Sequence, residues 1–355
     1  MPAPLSPELD RARALVLRYG WNATAYQILN PGIRHWFWSE GEAVVGYVRS
    51  WRMWVAAGAP VCAPDRLGAA CAAFEAEAAA HGARVCYFGA DARLRDSHPG
   101  ASEILLGAQP VWDPAAWPGI IEDKASLRAQ RNRARNKGAC VAEWTTERAT
   151  TSPTLRRCLD EWLRTRGLPP MHFLVEPETL GRLMDRRVFV AERDGHAVAF
   201  LVASPIPARQ GWLVEQLVRG YNAPNGTATL LVDAAMRGLA DNGATYVTLG
   251  LSPLSHRATT SANNPLWLRL LLGWVRAHGR RFYNFEGLER FKSKFEPDRW
   301  DPITALTNEP TPTLLTLRAI ADAFSGEGVS PVGFVGGALV DALRQEVRAL
   351  RGLRG

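Results

Sequence analysis

The chain has 355 residues, 47% of them hydrophobic and 22% charged, and a net charge of +7 at pH 7. That length suits about two domains and an ordinary globular core; no run of about 18 apolar residues occurs, so no transmembrane helix is expected, and the start MPAPLSPELDRAR lacks the basic and apolar regions of a signal peptide. Five cysteines without a C-x-x-C pair read as reduced, mostly buried thiols, and the scattered histidines offer no paired spacing, so no metal is expected.

Pro2 to Pro7 read as a loosely tied start and Leu9 to Tyr19 as a helix. Tyr26–Leu29, His35–Trp38, Ala43–Val48 and Met53–Ala57 read as strands between Gly and Pro turns. Asp65 to His81 is an Ala-rich helix with Asp65 as N-cap and Gly82 as its stop, and Arg84–Phe88 is a further strand.

The segment KASLRAQRNRARNKG, Lys124 to Gly138, reads as a helix started at Ser126, in which only Leu127 and small alanines can pack. Arg128, Arg131 and Arg135 share one face at three- and four-residue spacing. A run of cations with no acid after Asp123 is too one-sided for salt-bridge lacing, so these arginines and Lys137 are expected to meet an anion, either nucleic acid or a lipid headgroup. Ser152–Arg166 is amphipathic, and Val188–Glu192 and Ala197–Ala203 form a hairpin around Asp194-Gly195.

The most structured signal is LVEQLVRGYNAPNGTATLLVDAAMRGLADNGATYVTLGLSPLS, Leu213 to Ser255. Leu213–Val218 reads as a strand, a Gly/Asn loop follows, Thr227 is a candidate N-cap, apolar residues then recur at helical spacing to Asp241-Asn242-Gly243, and Tyr246–Leu251 is a second strand. A loop of this kind at a helix N-terminus offers free N–H groups and a positive dipole end to an anion. Asn222, Asn225, Gly226 and Thr227 are the loop's candidate ligands, with Arg219 adding a full charge. Beyond it, Pro265–His278 is strongly apolar and reads as a core or inter-domain helix. Phe282–Phe285 is strand-like, and helices are expected over Leu314–Phe324 and about Phe334–Leu350.

Four separated motifs occur in order: Arg219 with Ala223-Pro224-Asn225-Gly226-Thr227, then Leu249-Gly250-Leu251-Ser252-Pro253-Leu254-Ser255, then Phe285-Glu286-Gly287-Leu288, then Phe291-Lys292-Ser293-Lys294-Phe295. With Tyr19-Gly20-Trp21 and the Leu127–Gly138 segment, they resemble the catalytic region of the phosphatidylglycerol lysyltransferases over roughly Leu15 to Leu306. The resemblance implies an α/β fold of tandem acetyltransferase-like (GNAT) domains, with mixed sheets and flanking helices. The expected division is 1–145, including the basic helix 124–138, a catalytic domain over 146–310, and a helical tail over 311–355. No repeat is visible in the sequence itself.

The resemblance also implies transfer of an aminoacyl group from charged tRNA to a lipid hydroxyl, without a cofactor. The full-length family members carry a membrane-embedded half that this sequence lacks, so a soluble hydroxyl or amine acceptor is equally open. The expected location is the cytoplasm, at the inner membrane surface if the acceptor is a lipid. An acyl-CoA or acyl-carrier donor held by the Arg219–Thr227 loop is the alternative, and a non-catalytic RNA- or membrane-binding module is a second one.

Direct attack on an activated carbonyl needs held reactants, a stabilised oxyanion and a path for one proton. Glu215, Asp233 and Glu286 are the acidic candidates; Arg219, Arg290, Lys292 and Lys294 are the basic ones. Glu215 and Arg219 fall on one face of a regular strand, although the family often has an aspartate where this chain has Gln216. Asp233, in mid-helix among apolar residues, reads as a salt-bridge partner rather than a base. The resemblance places Lys294 in the cleft and leaves Lys292, two residues away, to solvent.

Overall fold

The structure is a computed structural model that describes residues 6–165, 171–257, 264–278 and 284–325. The expected second tail helix and Phe282–Tyr283 lie outside the described residues, while Asn284 and Phe285, expected as strand, are the N-cap and first residue of a helix. In chain order the first half runs α1 (Pro7–Tyr19), β1 (Arg34–Phe37), β2 (Ala43–Ser50), β3 (Met53–Ala57), β4 (Val61–Cys62), α2 (Leu67–Ala80), β5 (Arg84–Ala90), α3 (Ala92–Ser97) and β6 (Ser102–Trp112). Then come α4 (Trp117–Asp123), α5 (Ala125–Asn136), β7 (Cys140–Trp144), α6 (Thr146–Thr151), α7 (Pro153–Arg164), β8 (Arg187–Arg193), β9 (His196–Ile206), β10 (Gly211–Arg219) and α8 (Thr227–Ala240). The described chain ends with β11 (Tyr246–Thr248), β12 (Ser252–Pro253), α9 (Leu266–His278), α10 (Phe285–Ser293), β13 (Arg299–Thr307) and α11 (Leu314–Ser325).

All thirteen described strands join one mixed sheet in the order β1-β2-β3-β5-β13-β6-β11-β10-β9-β8-β7, with β4 on β2 and β12 on β6. The duplication expected from element order is present as geometry. In each half an antiparallel run leads through a helix to a parallel neighbour: β3, α2, β5 in the first and β10, α8, β11 in the second. The strands that follow are exchanged. β6, next after β5 in sequence apart from α3, pairs with β11 of the other half, while β13, from the far end of the chain, pairs with β5. β6 and β13 then pair antiparallel with each other from Arg299↔Val111 to Thr307↔Ser102. A cut near residue 145 therefore does not separate two sheets, because each half takes a strand from the other side of it.

Most expected elements are found, and the departures have local causes. Tyr26–Leu29 is a tight 3₁₀ turn with all four residues buried, its N–H groups reaching back three residues, as from Asn30 to Gln27 at 3.0 Å; a short apolar run without alternation fits a buried turn as well as a strand. The second parallel strand stops at Thr248, whose Oγ1 accepts from the Gly250 N–H at 3.0 Å, and Gly250 at φ +72° turns the chain away. Gly226, not Thr227, is the N-cap of α8. Neither Asp65 nor Ser126 caps its helix; α2 and α5 start without a side-chain cap. Of the cysteines, only Cys140 is exposed. Among the described residues, no helix is long and apolar enough to cross a membrane, and no group of three His, Cys, Asp or Glu side chains is placed to hold a metal.

The basic helix α5 is docked, not free. Leu127 and Ala134 are fully buried, and the acids missing from its own sequence come from elsewhere. Asp233 of α8, 1% exposed, accepts from Trp117 Nε1 at 3.0 Å and pairs with Arg131 at 3.4 Å, Arg237 at 3.0 Å and Arg135 at 3.9 Å. Lys124 pairs with Glu296. Three cations and an indole around one buried carboxylate satisfy it without making it a base, as its place on the helix suggested.

Candidate active site

The site lies where β10 leaves its parallel neighbour. β10 and β11 pair only over Gly211–Leu213, and past a register shift between Val214 and Gln216 the rest of β10 runs on beside β9 alone. The strand end carries Arg219, exposed and, among the described residues, without an acid within 4 Å. The register shift interrupts the regular spacing assumed for Glu215 and Arg219. Glu215 is instead clamped by Arg186 through two hydrogen bonds of 2.8 and 3.0 Å, both side chains 5% exposed. A carboxylate so occupied is a structural counter-ion. Gln216, where the family often has an aspartate, donates to the Pro177 carbonyl at 3.0 Å and accepts from Thr179.

The loop after β10 does not stand open to an anion at its closest point. Gly226 has φ +99°, and a Cβ there would lie 2.0 Å from the Gln130 carbonyl oxygen of α5. Thr227 is buried and turns its hydroxyl to the Pro224 carbonyl at 2.7 Å. Gly226 was a candidate anion ligand, but the backbone that approaches it belongs to α5. Asn222 lines a cavity of about 170 Å³ on the α7 side, with Glu161 and His196, while Asn225 is exposed.

Lys294, just past α10, projects into this junction. Its Nζ donates to Gln130 Oε1 at 3.1 Å and Thr229 Oγ1 at 3.2 Å, and the Thr229 hydroxyl itself donates to Gln130 at 2.9 Å. The Phe291 and Phe295 rings lie 4.5 and 4.6 Å from the ammonium, close enough for cation–π attraction. Phe295 is held from behind by Trp112, whose Nε1 donates to its carbonyl at 2.9 Å. The Lys294 ammonium thus has neutral acceptors and aromatic faces but no carboxylate among the described residues. Burial, then repulsion from Arg219, pulls its pKa down to about 8.

Lys292 does not face solvent. It is 5% exposed and donates to the carbonyls of Gly250 at 2.8 Å and Leu251 at 2.9 Å, pinning the chain as it leaves β11. Burial lowers its pKa to about 7. Two-residue spacing sent the two lysines apart as expected, but both directions lead into the protein. Glu286 lies half-buried in the first turn of α10, where a negative charge suits the helix dipole.

Residues 13–304 match the family described as "Phosphatidylglycerol lysyltransferase, C-terminal". The chain belongs to this family. Among solved structures, the C-terminal domain of a candidate lysylphosphatidylglycerol synthetase from Agrobacterium fabrum aligns at TM-score 0.76 and 22% identity, covering 91% of this chain and 99% of that one. L-PGS from Bacillus licheniformis aligns at 0.74 and 20%, covering 90% and 98%. FemX aligns at 0.55 and 9%, covering 86% and 96%. At these identities the likeness is one of fold, a GNAT-like α/β architecture. A search among curated protein sequences returns no match.

As a phosphatidylglycerol lysyltransferase family member, the chain is a transferase of GNAT-like fold, and its FKSKF motif supplies both the buried Lys292 and the half-buried Lys294. Sequence reasoning missed Gln130 and Thr229, the neutral partners that hold Lys294; only their places, on the basic helix and one turn into α8, hinted at them. Of the four cations expected to meet an anion, Arg135 and Lys137 face outward, and Arg128 and Arg131 are turned into the protein. Arg128 donates to the carbonyls of Ile121 and Glu122, and Arg131, 16% exposed on its side chain, is taken by Asp233. The outward cations of α5 are Arg133, Lys137 and Arg135.

The Lys292 ammonium makes a stability prediction. Its folded pKa, about 7, lies below the ordinary 10.5, so between those values the unfolded chain binds more protons. Stability then rises with pH, is complete above about 10.5, and is lost as pH falls through about 7. Melting temperature measured from pH 6 to 8.5 should climb in the native protein, and the Lys292→Met variant should show a flatter climb over the same range. Equal slopes would mean that Lys292 carries no such burial cost.

Proposed function

We propose that the protein transfers an aminoacyl group from charged tRNA to the hydroxyl of a lipid of the phosphatidylglycerol class. The observation that carries this is the Lys294 ammonium, held where α5 meets α8 by neutral groups alone, with the exposed Arg219 ending β10 just before the loop that leads into α8. Such an ammonium favours a substrate oxygen that becomes negative during reaction. The acceptor oxygen attacks the ester carbonyl carbon, and the carbonyl electrons move onto its oxygen, where Lys294 donates. Collapse then breaks the bond to the tRNA ribose oxygen. The acceptor's proton ends on that ribose hydroxyl, and no cofactor enters the balance. Glu286 is the group of the motifs suited to moving the proton.

An acyl-CoA donor is less well served. Its diphosphate would need the first turn of α8, where the Gln130 carbonyl packs against Gly226. The non-catalytic reading gives no reason for a lysine without an acid beside Arg219. The direct test is incubation with charged tRNA and, separately, acyl-CoA, following loss of ester or thioester over phosphatidylglycerol and small-molecule acceptors. Ester loss dependent on phosphatidylglycerol supports the reading; thioester loss alone overturns it.

The outward cations of α5 should touch the tRNA. Each phosphate contact contributes roughly 0.9 to the slope of log K against log salt on duplex nucleic acid, so replacing Arg133 and Lys137 by glutamine should lower that slope by about 2. Neither side chain has an acidic partner among the described residues, so the fold should be kept. Arg128 and Arg131 are unsuitable for this test because their replacement disturbs the docking of α5. A slope equal to the native one would take α5 out of the tRNA site.

A further inference from the structure

α1, α9 and α11 share one core, to which Val16, Leu268 and Ala319 contribute, and so cover one face of the sheet. The outer side of this layer is unusually apolar. At the tip of the β2–β3 hairpin the two-residue turn is Trp51-Arg52, with Trp51 at φ +52° and 75% exposed. Asn or Gly normally holds such a position, and a bulky side chain there is strained. The tip is tied to α11: Ser50 donates to Asp322 at 2.6 Å, and the Arg318 guanidinium lies 4.3 Å from the Trp51 ring centroid. The first turn of α11 presents Leu314 and Leu315, 67% and 64% exposed. α9, expected to be a core or inter-domain helix, buries Leu268 but leaves Leu266, Trp267 and Leu270 outward, 68%, 40% and 66% exposed. Cations accompany these side chains: Arg52 and Arg318 around the hairpin and an exposed Arg269 on α9.

We propose that this face docks the protein on a bilayer rich in anionic lipid. Tryptophan at headgroup depth, leucines at the acyl boundary and arginines toward anionic headgroups are the pattern of an interfacial surface. The strain at Trp51 fits a side chain placed for an external contact, since beyond one face of the ring against Arg318 the indole stays 75% exposed. The proposal deepens the lipid-acceptor reading by naming how the protein reaches the membrane. It can be tested with neither tRNA nor turnover.

Co-sedimentation of the full chain with phosphatidylglycerol/phosphatidylcholine vesicles should show binding that weakens in high salt and is much lower on phosphatidylcholine alone. Trp51→Gly combined with Leu314→Ser and Leu315→Ser should reduce the partition coefficient about tenfold or more. Trp51→Gly alone should reduce it in part while leaving the melting temperature unchanged or raised, because glycine accepts φ +52° without strain. Absence of native binding, or a native partition coefficient in the triple variant, would overturn the proposal. So would sedimentation showing a native dimer that the triple variant dissociates, which would assign the face to a second copy of the chain. Loss of vesicle binding without change in the transfer reaction on dispersed lipid would support docking and leave the chemistry intact. Vesicle binding in a protein inactive with charged tRNA would support docking while overturning the transfer reading.

Discussion

Replacing Lys294 by methionine should lower the rate of aminoacyl transfer by about 10²–10³-fold while charged-tRNA affinity stays near native. Methionine keeps most of the stem that packs between Phe291 and Phe295 and removes the ammonium. In the ground state that ammonium is already served by Gln130 and Thr229, so its loss costs the bound ester little. In the transition state the carbonyl oxygen gains charge, and the donor is then missing. The same argument gives a pH profile. With the pKa of Lys294 lowered to about 8, the cation is present below that value, and native activity should fall as pH rises through it. The Met variant's residual activity should lack this limb. Arg290→Gln is the control: it removes the same charge from an exposed position on α10 and should leave the rate nearly native. A Lys294→Met protein that turns over at the native rate, or that loses tRNA binding in proportion to rate, would remove Lys294 from the reacting carbonyl.

The local elements around this site were legible because their signals are local. The β10–loop–α8–β11 unit announces itself through an apolar run, a Gly/Asn loop and helical spacing. Asp194-Gly195 marks the β8–β9 hairpin, with Asp194 at φ +51° and Gly195 at +75°. The central pair β6 and β13 gave no such signal. β6 contains Gly107 and Pro110, and β13 contains Pro302, residues that argue against interior strands. The folded protein shows what the glycine does: a Cβ on Gly107 would lie 2.3 Å from the Ser252 carbonyl oxygen, so the small residue lets the chain after β11 cross close to β6. The exchange of these strands between halves is non-local and leaves no periodicity to read. The surroundings of the two lysines are hidden for a related reason. Lys292 and Lys294 look alike in FKSKF, and only tertiary neighbours make one a clamp on the Gly250–Leu251 backbone and the other a cation over two rings. The orientation of α5 depended likewise on Asp233, 98 positions beyond Arg135 in sequence.

The docking of α5 on α8 yields the largest expected loss of stability. Gly226→Ala should destabilise the protein by about 2–5 kcal/mol, the sum of left-handed backbone strain and overpacking against a rigid neighbour. The neighbour cannot swing aside: the atom 2.0 Å from the new Cβ is the main-chain oxygen of Gln130, with Ala134 Cβ 3.5 Å away. Valine should be worse. Gly243→Ala separates the two contributions, because Gly243 has a comparable φ of +76° but open space around its Cβ; it should cost about 1 kcal/mol. Urea unfolding of both variants measures the difference, which reports the α5 contact alone. If the two glycines cost the same, α5 does not press on the loop, and Gly226 is merely a turn residue. If Gly226→Ala is as stable as the native protein but fails to bind charged tRNA, the loop approaches an anion after all. Should the docking argument hold, loss of transfer in Gly226→Ala will follow from displacement of α5 and of Gln130, the acceptor that holds Lys294. A second substitution, Gln130→Ala, then keeps the backbone contact but frees the ammonium. It should lower the rate far more than the stability, since Gln130 Oε1 serves Lys294 and Thr229 while its carbonyl still meets Gly226.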